Sequence, residues 1–113
     1  MKNLASYLLL TLMLSFSVYS QAYRESYADG MKAIKFKKYD LAIDNFKEAI
    51  RLNPQYKDAW YYLGKTYDFL NRNEAAIDAF RNLEKIDSDY NYGIYYDIAK
   101  AYIELEIGTC LIG

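Results

Sequence analysis

A sequence that repeats at an interval of about 34 residues constrains the fold of this chain more than any other feature. Residues 23–56 and residues 57–90 align at that interval, and a set of paired positions holds the same residue in both units. Such an interval is typical of two-helix units that stack on one another. The matched pairs are Tyr27 with Tyr61, Gly30 with Gly64, Ala42 with Ala76, Ile43 with Ile77, Asp44 with Asp78 and Phe46 with Phe80.

Within each unit, apolar residues recur at the three- and four-residue spacing of one helix face. Two helices per unit follow, because the spacing restarts after a short polar break. The sequence therefore predicts an all-α fold, a short α-solenoid of stacked antiparallel helix hairpins with about two and a half repeats. The stretches that carry the spacing in the second unit are Trp60, Leu63, Tyr67 and Leu70, then Ala76, Ile77, Phe80 and Leu83.

Polar residues mark the expected ends of the second helices. Asp40 and Asn73 have side chains that cap helix N-termini well, so each is predicted to be an N-cap. Asn53 followed by Pro54 predicts the end of the first unit, and residues 71–73 predict a tight turn between the helices of the second unit.

Small residues on both helices of a unit predict a close approach of the two backbones. Gly30 and Gly64 on the first helices are expected to face Ala42 and Ala76 on the second helices. Large aromatic side chains, each burying about 150–250 Å², are expected to supply the buried area around this contact. These are Tyr39, Trp60, Tyr67 and Phe80.

The third unit predicts an apolar face without a partner. An interval one residue longer places Tyr95, Ile98, Ala99 and Tyr102 on the core positions of the second unit. Residues 91–106 are predicted to be the first helix of an incomplete repeat or a capping helix, and residues 107–113 a tail too short for a second helix. Three explanations stay open: the helix is itself the cap, two chains join through it, or the chain is the truncated N-terminal part of a larger envelope factor or enzyme.

The first 22 residues have the pattern of a secretory signal peptide. Lys2 precedes an apolar stretch over residues 4–18, and small residues at Ser20 and Ala22 allow cleavage after either position. The alternative is an uncleaved membrane anchor of residues 3–22, because about 20 residues are needed to cross a bilayer. The expected localisation is thus periplasmic or secreted, with membrane association only if the segment is retained.

The composition excludes several classes of function. A net charge of −1 with mixed charges argues against nucleic acid as a partner. Histidine is absent, which removes histidine-based catalysis and metal binding, and Cys110 has no second cysteine with which to form a disulfide. We therefore predict no enzymatic activity, no cofactor and no metal site.

Two charged stretches are interpreted as solvated surface. Lysines within residues 35–38 follow a first helix, where positive charge opposes the helix dipole. Asp40, Asp44 and Glu48 lie four residues apart on one helix, a spacing that favours ion pairs with Lys47 or Arg51 over a metal site.

The motif Trp60-x-x-Leu63-Gly64-x-x-Tyr67, followed by Ala76-x-x-x-Phe80, resembles the tetratricopeptide repeat family. The first unit departs from the family pattern by having Ser26 and Ala33 at positions that usually hold large aromatics. The second has Ser88 where the closing proline is expected, and the third has Ala99 in place of glycine. The resemblance covers residues 23 to about 104.

The resemblance implies that the first helices line a concave groove that binds a peptide or a helix of another protein. It also implies that the carboxylate clamp of some family members is missing, because the chain lacks the required Lys, Arg and Asn residues. The alternative for the tyrosines is packing between hairpins, and for the lysines a solvated face. The implied groove residues are Tyr27, Met31, Ile34, Tyr61, Lys65, Asp68, Tyr96 and Lys100.

The predicted function is that of an exported adaptor or scaffold in the cell envelope, whose partner is a protein or peptide. The first alternative is a structural repeat protein that self-assembles into homo-oligomers through its C-terminal helix. The second is that this chain is the truncated N-terminal part of a larger envelope assembly factor or enzyme and positions another domain of that protein.

Overall fold

The computed structural model describes residues 4–90 and 93–112, apart from the side chains of residues 94, 95 and 109–112. These residues form five α-helices. The predicted contribution of the Tyr95 side chain and the predicted isolation of Cys110 lie outside the described part. The helices are α1 (Leu4–Lys35), α2 (Tyr39–Leu52), α3 (Lys57–Phe69), α4 (Asn73–Ile86) and α5 (Gly93–Ile112).

The helices pack in chain order, which confirms the predicted short α-solenoid. α1 and α2 form one hairpin, α3 and α4 form the next, and α5 packs on α4. α2 contacts α3 and so joins the two hairpins. The second helices carry a clear apolar face, which in α2 consists of Ala42, Ile43, Phe46 and Ala49, all buried.

Each hairpin is closed by a glycine against a phenylalanine ring. A Cβ atom on Gly30 would lie 2.6 Å from the ring of Phe46, and one on Gly64 would lie 2.5 Å from the ring of Phe80. The predicted close approach is present, but the predicted partner was wrong. Ala42 and its counterpart Ala76 are fully buried, yet the atoms that any side chain on the glycines would meet are those of the rings.

The turns between the helices of a hairpin repeat as well. Lys37 and Asn71 both have φ of 59°, the left-handed region, and they lie at equivalent positions of the two units. The backbone N–H of Lys38 donates to the carbonyl oxygen of Ala33, and that of Arg72 donates to the carbonyl oxygen of Tyr67, both at 2.9 Å. These backbone bonds close the turn without a capping side chain.

The predicted N-caps were wrong by one or two residues. Lys38 and Arg72 hold the N-cap positions, and neither makes a side-chain capping bond. Asp40 lies inside α2 and its carboxylate is 3.1 Å from Arg72, while Asn73 is the first residue of α4. The predicted end of the first unit is confirmed, since α2 ends at Leu52 and Asn53 is its C-cap.

α1 crosses the predicted boundary between signal and repeat without interruption. Residues 4–18 are exposed along their whole length, whereas Gly30 and Ala33 in the second half are buried in the first hairpin. By length and composition α1 is apolar enough to cross a membrane. The apolar N-terminal half is thus consistent with a signal or an anchor.

α5 continues to Ile112, so the tail predicted from residue 107 is helical. The uncovered face agrees with the prediction in part, because Ala99 and Tyr102 are exposed whereas Ile98 is buried against the core of α4. Ala101, one turn later, is fully buried. The uncovered face also contains Tyr96, Ile103 and Ile107, whose exposed fractions are 71%, 57% and 53%.

Candidate functional site

An apolar cavity of about 300 Å³ lies between α1 and α3, the first helices of the two hairpins. Met31 and Ile34 lie one turn apart on α1, so both reach the cavity from the same face. The cavity is open to solvent, since Phe69 at its rim is 64% exposed. Its lining residues are Met31, Ile34, Tyr39, Tyr62, Lys65, Thr66 and Phe69.

The walls of this apolar cavity are held in place by contacts between its own residues. The ring of Tyr39, at the start of α2, lies 4.7 Å from the ring of Phe69. The hydroxyl of Thr66 donates to the carbonyl oxygen of Tyr62 at 2.6 Å, so this polar group is satisfied within α3. The arrangement leaves an apolar recess that fits an aliphatic or aromatic side chain.

The junction between α3 and α5 has a different chemistry. Lys65 Nζ lies 3.2 Å from Asp97 Oδ1, and Lys100 Nζ lies 3.2 Å from Asp68 Oδ2. The side chains of Asp97 and Asp68 are 9% and 7% exposed, so both carboxylates are buried beneath the lysines. The hydrogen bond to Asp68 raises the pKa of Lys100 above its usual value, which keeps this lysine charged.

One carboxylate oxygen of this ion-pair cluster has no hydrogen-bond partner among the described residues. Asp68 Oδ1 is buried and makes no hydrogen bond within the described part of the chain. A second carboxylate, Glu104, lies 3.6 Å from Lys100 on α5. The groove-facing charges at this junction are therefore engaged with one another.

The tyrosines of the first helices pack in the same way in both units. The ring of Tyr27 lies 5.9 Å from that of Phe46 and 5.2 Å from that of Tyr56. The structure thus contains the packing contacts for Tyr27 and Tyr61, each of which contacts the phenylalanine of its own hairpin, whereas Tyr96 is exposed. The corresponding distances in the second unit are 6.4 Å from Tyr61 to Phe80 and 5.9 Å from Tyr61 to Tyr90.

A carboxylate lies among these rings at the N-terminal end of α3. The hydroxyl of Tyr90 donates a hydrogen bond to Asp58 Oδ1. Burial, and after it the charge of Asp58, raises the pKa of Tyr27 to about 12. The same causes raise the pKa of Tyr56, and burial with the Asp58 hydrogen bond raises that of Tyr90. Their hydroxyls are therefore protonated at neutral pH.

A second cavity, of about 290 Å³, opens beside this carboxylate. Lys57 lines it, but its Nζ atom lies 2.7 Å from Asp87 Oδ2 at the end of α4. The cavity is thus a polar recess between two tyrosine rings at equivalent positions of successive units. Its lining residues are Gln55, Tyr56, Lys57, Asp58 and Tyr90.

The structure distributes the predicted groove residues over four environments. It brings Met31, Ile34 and Lys65 together around the apolar cavity. Asp68 and Lys100 are paired with each other, and Tyr96 is exposed on α5. Tyr27 and Tyr61 are half-buried in ring contacts.

Sequence reasoning missed four residues of the apolar cavity and the carboxylate beside the tyrosines. A sequence pattern could have indicated them, because residues 58, 62, 65 and 69 recur at the spacing of one face of α3. The sequence predicts Tyr39 to be part of the hairpin core. Its ring also contacts that of Phe69 and so joins α2 to α3, two helices that belong to different repeats. The missed residues are Tyr39, Asp58, Tyr62, Thr66 and Phe69.

Two of the three acidic residues in the series on α2 form ion pairs. Glu48 contacts Arg51 at 2.6 Å, as predicted, and Asp40 contacts Arg72 of the next hairpin. Among residues 4–90 and 93–112, no three Cys, Asp or Glu side chains lie close enough to hold a metal ion.

Comparison with known families gives two overlapping matches. Residues 34–68 match the family described as TPR repeat, and residues 57–90 match the family described as tetratricopeptide repeat. Protein bimA of Emericella nidulans is 33% identical over 58 residues, which is 51% of this chain and 7% of that protein.

Solved structures share the same architecture. A crystal structure of the MamA protein has 29% sequence identity and a TM-score of 0.72, and the match covers 75% of this chain and 46% of that chain. A tetratricopeptide repeat domain protein from Salinibacter ruber is 24% identical with a TM-score of 0.59, covering 74% of this chain and 96% of that one, and supports the fold alone. The chain thus spans less than half of the MamA chain and a small part of the bimA protein.

Proposed function

The chain is a tetratricopeptide repeat protein, with repeats matched over residues 34–90, and from this premise we propose that it binds an extended peptide or a helix of another protein beside α1 and α3. Tetratricopeptide repeats are protein–protein interaction modules. The observation that carries the proposal is the open apolar cavity between the two first helices. An apolar side chain of the partner enters this cavity while its backbone follows α3.

The energetics favour this junction as the main contact. Met31, Ile34 and the rings of Tyr62 and Phe69 offer apolar surface that is only partly covered in the free chain. Covering this surface contributes about 25 cal/mol per Å² to the free energy of binding. One large apolar side chain of the partner therefore supplies most of the binding free energy at this junction. Lys100 on α5 contributes less, since it is already paired with Asp68.

A peptide selection tests this function. The full chain in detergent micelles is immobilised and panned with a phage-displayed library of random dodecapeptides. We expect enrichment of peptides with at least one large apolar residue, and we expect Phe69→Ala to weaken their binding by about tenfold, the loss of a typical interface contact. Because Phe69 is 64% exposed, this change leaves the hairpin core intact.

Phe36→Ala is the matched control for this change. Phe36 is 61% exposed and lies in the turn after α1, outside the lining of the apolar cavity. Its removal should leave peptide binding unchanged. A selection that yields no binders, or an equal loss for the two variants, would remove the support for the groove.

We further propose that the apolar half of α1 directs export of the chain, with the periplasm or the exterior as its destination. Support comes from residues 4–18, which are apolar and exposed along one continuous helix. The intact mass of the protein from cells that make it tests this. A start at Gln21 or Tyr23 supports a cleaved signal, a start at Met1 in the membrane fraction supports an anchor, and a start at Met1 in the cytosol opposes both.

A second candidate function is self-assembly through α5. It is supported by the row of exposed apolar side chains on that helix, which repeat stacks normally cover. Ile103→Lys places a charge in the middle of this row. If α5 joins two copies, sedimentation should show a dimer for the wild type and a monomer for the variant, whereas a wild-type monomer at high concentration excludes the assembly.

A further inference from the structure

The cavity lined by Tyr56, Asp58 and Tyr90 has a chemistry that the apolar cavity lacks. We propose that it binds the basic side chain, arginine or lysine, of the peptide that occupies the groove. This inference rests on the proposed function and adds the class of residue that the partner must carry. The cavity measures about 290 Å³, which is enough for a guanidinium or ammonium group with part of its aliphatic stem.

The negative charge of this cavity is not compensated within the described residues. Asp58 accepts a hydrogen bond from the neutral hydroxyl of Tyr90, and no ion pair between residues 4–90 and 93–112 includes it. Lys57, the cation nearest in sequence, is bound to Asp87 at 2.7 Å. A partner cation would therefore meet a carboxylate that belongs to no ion pair among the described residues, beside a lysine that is already paired with Asp87.

The two rings add attraction for a cation. The faces of tyrosine rings carry negative electrostatic potential and hold a cation within about 6 Å. Three such pairs form elsewhere among the described residues, and none of them uses the ring of Tyr56 or Tyr90. They are Arg24 over Tyr23 at 5.8 Å, Lys47 over Tyr67 at 5.9 Å and Arg81 over Tyr102 at 5.7 Å.

The position of the site along α3 sets the spacing of the partner's residues. Asp58, Tyr62, Lys65 and Phe69 follow one face of the helix, with Asp58 at one end and the apolar cavity at the other. From Asp58 to Lys65 the helix rises about 10 Å, at 1.5 Å per residue. An extended peptide covers that distance in about three residues. The partner thus carries a basic residue three positions from an apolar one.

A small probe tests the cation site by itself. N-acetyl-L-argininamide is titrated into the full ¹⁵N-labelled chain in neutral detergent micelles, with N-acetyl-L-citrullinamide as the uncharged isostere. We expect saturable shifts of the backbone amide signals of Asp58 and Tyr90 with the arginine probe and none with citrulline. Asp58→Asn should abolish the shifts, and the control Asp44→Asn, which removes the same charge from α2, should leave them unchanged.

The outcomes of this titration are decisive in either direction. Equal shifts with the two probes, no shift with either, or equal losses in the two variants would each overturn the cation site. Asp58 also lies in the first turn of α3, where negative charge stabilises a helix. If Asp58→Asn does not fold, Tyr56→Leu replaces it, because it removes one ring face and keeps the apolar bulk.

A peptide-binding assay then tests the cation site and the proposed groove independently of each other. Two nine-residue Gly/Ser peptides carry leucine three positions from either arginine or citrulline, and fluorescence anisotropy measures their binding. We expect the arginine peptide to bind about fivefold more tightly, as expected for a cation over tyrosine. Equal binding that Phe69→Ala weakens would reject the cation site and keep the groove. If Phe69→Ala changes neither peptide while argininamide still shifts Asp58, the groove fails and the cation site stands.

Discussion

The two junctions between first helices occupy equivalent places in the repeat, but one is lined mainly by apolar side chains and the other by charged ones. At the α1–α3 junction, Met31 and Tyr62 line an open apolar cavity. At the α3–α5 junction, the equivalent positions hold Lys65 and Asp97, which form an ion pair at 3.2 Å in which only the carboxylate is buried. The first junction leaves apolar surface for a ligand, whereas the lysines of the second are paired with carboxylates of the chain itself.

This difference shows that the stacking of hairpins does not determine what a junction recognises. The glycine-to-phenylalanine contact that closes each hairpin is the same in both units, with a Cβ on Gly30 or Gly64 at 2.6 or 2.5 Å from the ring. Recognition therefore depends on the outer positions of the first helices, which vary while the hairpin core is kept. The proposal of an apolar anchor at one junction follows from this separation.

The largest expected effect comes from removing the rings inside the hairpins. Phe46 and Phe80 are both fully buried, so replacement of either by alanine should lower the free energy of unfolding by about 3–5 kcal/mol. The two losses should be similar, because each ring lies in a cluster that reaches the next element of the stack, Phe46 with Leu63 of α3 and Phe80 with Ile98 of α5. Urea unfolding of the two variants measures both losses, and a difference of more than about 2 kcal/mol between them would contradict the equivalence of the hairpins.

The glycines provide the next effect. A methyl group at Gly30 or Gly64 must displace the buried ring of the facing phenylalanine, so Gly30→Ala and Gly64→Ala should each destabilise the chain by about 1–3 kcal/mol. Helix propensity alone favours alanine over glycine, so a loss of stability would show that the clash with the ring outweighs the gain in propensity. Increased stability of either variant in thermal unfolding would show that the ring moves aside at little cost.

The repeat period and its matched residues were sufficient to predict the hairpins and the position of α2 to α4. The partner of the glycines was not predictable, because pairing small residues with small residues ignores where the ring of Phe46 lies after the helices cross. The helix N-termini were misplaced because Lys37 adopts a left-handed conformation that its residue type does not indicate. Backbone bonds then replaced the expected caps.

The candidate site was predicted in part. Met31, Ile34 and Lys65 follow from the resemblance to the family and line the apolar cavity. The engagement of Lys65 with Asp97 depends on the register of α5 against α3, which a weak third repeat does not determine. Tyr39 and Phe69 meet across two hairpins, and no pattern within one unit signals that contact.

A smaller effect tests the charged junction. Asp97→Ala leaves Lys65 without its partner, and it should cost about 1–2 kcal/mol, less than for a fully buried pair because Lys65 remains 40% exposed. The double change Lys65→Met with Asp97→Tyr copies the residues of the first junction and should recover most of this loss. Urea unfolding of the wild type and the two variants measures the loss and its recovery. No recovery in the double variant would mean that the second junction requires charge.

The smallest effect concerns an ion pair that one unit has and the other lacks. Lys57 Nζ contacts Asp87 Oδ2 at 2.7 Å, whereas Tyr23 and Asn53 stand at the equivalent positions of the first unit. The hydrogen bond from Lys57 lowers the pKa of Asp87 below its usual value. A carboxyl group with a lowered pKa in the folded state stabilises the fold above its unfolded pKa of about 3.9, and this contribution is lost as the pH falls through the folded value.

Thermal unfolding at pH 7 and at pH 2.5 measures this contribution. We expect Asp87→Asn to lower the melting temperature slightly at pH 7 and to make less difference at pH 2.5, because the stabilisation by the wild-type carboxylate is lost as the pH falls through its lowered pKa. Asp44→Asn serves as the control, because no ion pair among the described residues includes Asp44. If the two variants show the same difference between pH 7 and pH 2.5, net charge explains the effect and the second unit gains nothing from its ion pair.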